Sequence, residues 1–201
     1  KAITAETMED LLLDFIDSKV EPINLGALYG QDFPIYPGEV LVIQAPPKSM
    51  KTMLIQNWLT QLKKPTYFLE LEMSSRQIFM RFLQIQTGMS KEEILTYYRG
   101  KNNGLHKGFE WLTFDTNNCH PFEISKGAIR EGTENSIVAS RGSFRIAYSA
   151  NKILSVHADR DKMDKNKIKR LRIQTVANRE EEQLNVNLRL NGLNLVKEEG
   201  Y

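Results

Sequence analysis

Eight consecutive residues, Ala45-Pro46-Pro47-Lys48-Ser49-Met50-Lys51-Thr52, have the types and spacing that bind phosphate. Lys51-Thr52 matches the end of the pattern G-x-x-x-x-G-K-[ST], with Ala45 and Met50 where that pattern has glycine. In such a loop, successive backbone N–H groups and a helix N-terminus point at anionic oxygens. The lysine adds a point charge on the terminal phosphates and the Ser or Thr hydroxyl holds Mg2+. On this reading Ala45 to Thr52 form the nucleotide-binding segment, with Lys51 on the β- and γ-phosphates and Thr52 on the metal. The N–H groups from Pro47 to Thr52, the proline excepted, would cradle the phosphates. If position 50 requires a positive φ, methionine there costs roughly 1–2 kcal/mol. Several charge-assisted hydrogen bonds to phosphate outweigh that cost. The competing reading is a plain helix start after a proline-rich turn.

The flanking elements meet the requirement for such a loop. Before it, "YPGEVLVIQAP" reads as a turn at Pro37-Gly38 and an apolar strand from Val40 to Ile43. After it, "MLIQNWLTQLKK" has Leu54, Ile55, Trp58, Leu59 and Leu62 at helical spacing. Pro65 precedes a second strand, "TYFLELE". Two helices follow, "SSRQIFMRFLQIQTG" and "SKEEILTYYRG", each with a serine start and a glycine near its end. "FEWLTFD" reads as a third strand. Further on, "NKILSVHAD" and "KRLRIQTVANR" read as strands separated by the charged turn "RDKMDKNK". "EEQLNVNLRLNGLNLVKEE" alternates as a terminal hairpin around Asn191-Gly192. Residues 1–22 read as an amphipathic helix and linker, and 23–201 as one domain. This order predicts an α/β fold with a mainly parallel central sheet flanked by helices and a C-terminal β-hairpin.

Composition narrows the field less. The 201 residues are 41% hydrophobic and 26% charged, with a formal charge of +2. That mildly basic balance permits a nucleic-acid partner without arguing for one. One cysteine, Cys119, leaves no internal disulfide, and three scattered histidines disfavour a zinc site. There is no run of eighteen apolar residues and no signal-peptide pattern, so the expectation is a cytoplasmic protein without a membrane partner.

The stretch from "LGALYGQDFPIYPGEVLVIQAPPKSMKT" through "PTYFLELEMSSRQIFMRFL" resembles the ATPase domain of DnaB-type replicative helicases and their RecA-like phage relatives. The more specific motif is Leu71-Glu72-Met73-Ser74, with Arg81 downstream. The resemblance implies a RecA-like P-loop fold, ATP and Mg2+ as cofactors, and Glu72 as the residue that orients or activates the attacking water. From sequence alone Glu70 has a similar claim; the resemblance favours Glu72. "SRGSFRIAYSANKILSVHADR" resembles the segment bordering a single-stranded-DNA loop, which places Arg141 and Arg145 on DNA. "IQTVANREEEQLNVNLRLNG" resembles the segment whose Lys-x-Arg pair reaches a neighbouring subunit's nucleotide. Arg179 matches the arginine, and Ala177 stands in place of the lysine.

The resemblance also has a hole. Between 116 and 140 no apolar strand ends in the expected Walker B aspartate. Three explanations stand open: a natural segment omitted from the chain, a natural deletion with poor ATPase activity, or "EWLTFD" as the Walker B strand, with Asp115 holding Mg2+ through water. The implied function is an ATP-hydrolysing helicase or translocase on single-stranded DNA in phage-type replication, assembled as a hexameric ring, with other replication proteins as further partners. The alternatives are a non-catalytic nucleotide- or DNA-binding accessory protein and a RadA- or KaiC-like recombination ATPase.

Overall fold

From Lys152 to Lys197, apolar residues alternate with polar ones, and the chain answers with strands. In the computed structural model the described residues are Leu13, 21–69, 73–115, 150–160, 168–179 and 182–198. The expected N-terminal helix falls almost wholly outside them. The strands are β1 (Ile23–Asn24), β2 (Pro34–Ile35), β3 (Leu41–Gln44), β4 (Thr66–Leu69), β5 (Leu112–Asp115), β6 (Lys152–Arg160), β7 (Ile168–Asn178), β8 (Asn185–Asn191) and β9 (Asn194–Lys197). The helices are α1 (Lys51–Leu62), α2 (Ser75–Thr87) and α3 (Lys91–Arg99). A 3-10 turn occupies Gly26–Tyr29.

The expected mainly parallel, RecA-like sheet is overturned. The main sheet has five strands in the order β3-β6-β7-β8-β9, and only β3 and β6 run parallel. The other three pairs are antiparallel. The cause is local: from β6 onward each strand pairs with its sequence neighbour through a short connection, which reverses direction, whereas a parallel pair needs a long crossover. Leu69's strand, β4, pairs in parallel with β5 in a separate two-stranded sheet. The β8–β9 connection turns at Asn191-Gly192, where Gly192 has φ 63°.

Helix α1 lies between two cores. Its Met53, Leu54 and Trp58 pack with Leu154, Val156, Leu171, Ile173, Val186 and Leu188 on the inner face of the main sheet. Its Ile55 and Leu59 pack on a second cluster built from Phe68, Ile78, Phe82, Leu83, Ile94 and Phe109. The indole of Trp58 donates to the Tyr29 hydroxyl at 2.6 Å. Burial pushes the Tyr29 phenol up to about 12, against the lowering effect of the Trp58 bond. Lys63, in the left-handed region at φ 50°, ends the helix, and Pro65 follows.

Buried Asn57 ties α1 to the outer edge of β9. Its side-chain amide donates to the carbonyls of Met53 (2.9 Å) and Leu193 (3.0 Å), and its oxygen accepts from the Leu195 N–H at 3.0 Å. The opposite face of the sheet is exposed and polar. There Arg170, Arg172 and Gln174 of β7 stand opposite Arg189, Asn187 and Asn185 of β8.

Candidate functional site

Strand β3 enters the loop and α1 leaves it, the strand–loop–helix order that the sequence requires of a phosphate cradle. Met50, at φ 62° and ψ 25°, is the residue that caps α1. Position 50 therefore does take the left-handed conformation that glycine adopts without penalty. The methionine holds it by packing its side chain, with that of Ala45, against the main core. Its carbonyl accepts the first helical bond from the Leu54 N–H at 2.9 Å. Lys48 is also left-handed, at φ 61°, a second departure that nothing in the sequence pattern signalled. Between them Ser49 is buried, while Pro46 and Pro47 are exposed.

The start of α1 differs from the starts of the other helices. In α3, the Ser90 hydroxyl accepts from the Glu93 N–H at 3.2 Å and Glu93 accepts from the Ser90 N–H at 2.7 Å. At the start of α2, the Ser74 N–H donates to the Gln77 side chain at 3.2 Å. Helix α1 has no side-chain cap and no acidic residue in its first turn. Its leading N–H groups are thus without an intramolecular acceptor from a capping side chain, at the positive end of the helix dipole. Lys51 folds back over the loop, its ammonium donating to the carbonyls of Ala45 (3.0 Å) and Pro46 (3.4 Å). Thr52 is half-buried in the first turn. This donor set suits a polyphosphate: helix-start amides with no capping side chain, one cation on a long stem, and one hydroxyl of the kind that ligates Mg2+.

Of the other candidate residues, Arg179 stands away from this loop. Arg179 follows the end of β7, exposed, and its N–H donates to the Asn151 carbonyl at 3.3 Å. Leu41 pairs with Lys152, and Lys152 with Asn178, so Arg179 lies at the edge of the sheet where β3 begins. The loop lies at the edge where β3 ends, roughly 13 Å away along four strand residues. Asp115 ends β5 beside Leu69 of β4, in the two-stranded sheet. Glu70, Glu72, Arg141 and Arg145 lie outside the described residues. Among the described residues there is no group of three metal-ligating side chains. No helix among them is long and apolar enough to cross a membrane. No protein-family model matches the chain, and no curated protein matches it either.

Proposed function

We propose that the chain binds ATP with Mg2+ through the loop from Ala45 to Thr52 and that this binding drives work on single-stranded DNA. The observation that carries the nucleotide part is the start of α1: uncapped, free of carboxylates, and entered through two left-handed residues. Lys51 exchanges its two loop carbonyls for β- and γ-phosphate oxygens, and Thr52 supplies a hydroxyl to the metal. The motor part rests on the resemblance to DnaB-type helicases. Glu72 is its water-orienting carboxylate and Arg179 its inter-subunit arginine. The position of Arg179 at the far edge of the sheet supports action on a neighbour's nucleotide rather than its own, and hence a ring of subunits.

The test is a titration with fluorescent ATP analogue and Mg2+, followed by ATP turnover with and without single-stranded DNA. Lys51→Ala weakens binding at least about tenfold, the loss of one charge-assisted contact to phosphate. Glu72→Gln retains binding and loses turnover. No detectable complex at millimolar nucleotide would sink the proposal. The mostly antiparallel sheet favours a second reading, an accessory protein that holds DNA and whose loop never turns nucleotide over; DNA binding indifferent to nucleotide is its signature.

A further inference from the structure

The outer face of the main sheet is solvent-exposed and carries a lattice of side chains that the loop chemistry does not use. In register across β6, β7 and β8 run the rows Asp159–Arg170–Arg189, His157–Arg172–Asn187 and Ser155–Gln174–Asn185. Like charges directly opposite on neighbouring strands repel, with their Cβ atoms only about 5 Å apart. Arg170 and Arg189 are such a pair. Two carboxylates relieve it in part: Glu198 meets the Arg170 Nε at 2.6 Å, and Asp159 stands opposite Arg170 on β6. Arg172 spends its Nε on the Asn187 side chain at 3.3 Å, and among the described residues neither Arg172 nor Arg189 has a carboxylate partner.

We infer that this face is a docking surface for the phosphate backbone of single-stranded nucleic acid, held by Arg170, Arg172 and Arg189. Anionic oxygens between the opposed guanidiniums turn the Arg170–Arg189 repulsion into a shared contact. The flanking amides of Gln174, Asn185 and Asn187 donate and accept, so they serve phosphate oxygens or splayed base edges. Among the described residues the face projects no helix for a duplex groove, and an extended strand lying across a sheet is the geometry it suits. Among the described residues Val196, at the rim, is its one exposed large apolar side chain, too little for an apolar protein partner or for insertion into lipid. The surface names where the strand invoked above is held, and to that extent deepens that reading.

Fluorescence anisotropy with a labelled oligothymidine, in the absence of nucleotide, tests it. With three phosphates neutralised, log K falls with log salt at a slope of about −2, so an approximately fourfold rise in salt weakens binding roughly fifteenfold. Each of Arg170→Gln, Arg172→Gln and Arg189→Gln flattens that slope by about 0.7. The triple variant abolishes the salt-dependent binding with its melting transition intact. A control with the same charge loss elsewhere, Arg76→Gln with Lys91→Gln and Arg99→Gln, keeps the parent slope. Equal losses in both triple variants, unchanged binding in the first, or capture of phosphatidylserine vesicles in preference to the oligonucleotide overturns the inference. Because nucleotide is left out, failure of the loop to bind ATP leaves this measurement intact, and the two failures are told apart.

Discussion

Lys152 opens β6 almost fully buried, and its ammonium is built into a polar knot. It pairs with Glu39 at 3.2 Å, donates to the Pro34 carbonyl, and sits over the rings of Phe33 and Tyr36. Glu39 in turn accepts the Tyr36 N–H at 2.8 Å. The knot fastens the turn that feeds β3 to the strand beside it, so the strand carrying the loop is held at its start by a charge pair. Removing one partner strands the other without water. Lys152→Ala therefore destabilises by about 3–5 kcal/mol, and Lys152→Met combined with Glu39→Gln recovers most of that loss. Chemical denaturation of the three variants checks this; a double variant no more stable than Lys152→Ala refutes it. At Met50 the sequence showed the conflict, a bulky residue in a glycine position, but not its resolution. That lies in packing against side chains that are distant in sequence.

The helices were legible because their signals are local: Ser74 and Ser90 at their starts, Gly88 at an end, apolar residues at helical spacing between. The individual strands from Lys152 onward were legible from alternation for the same reason. Their assembly was not. Which strand lies beside β3 depends on the long path between Asp115 and Ala150, and no short-range pattern records it. Asn57 was passed over as well, because a polar residue within an apolar helix face gives no sign of its partner. That partner is a sheet edge. Open edges recruit other chains, and natural sheets cover them. Asn57→Leu leaves the Leu193 carbonyl and the Leu195 N–H bare, a loss of about 2–3 kcal/mol. It also exposes β9 to pairing with a second copy. Sedimentation and thermal melting together measure both effects; a monodisperse variant with parent stability is the contrary result.

At the scale of the whole molecule, the loop and Arg179 occupy opposite edges of one sheet, so a single subunit does not bring them together. The proposed ring makes this arrangement productive. Mixing Lys51→Ala subunits with Arg179→Ala subunits restores part of the ATP turnover that each lacks alone, because some junctions then combine an intact loop with an intact arginine. Turnover in the mixture that stays at the level of the separate variants argues against action between subunits.

Sandwiched between two apolar clusters, α1 is bound to the fate of both. Neither cluster dissolves without baring one flank of this helix, so its amides open only when the cooperative unit as a whole gives way. The loop's junction with α1 is thereby tied to a helix that both clusters hold. The proposed nucleotide, bound there, would be felt as protection against global unfolding rather than as the settling of a loose segment.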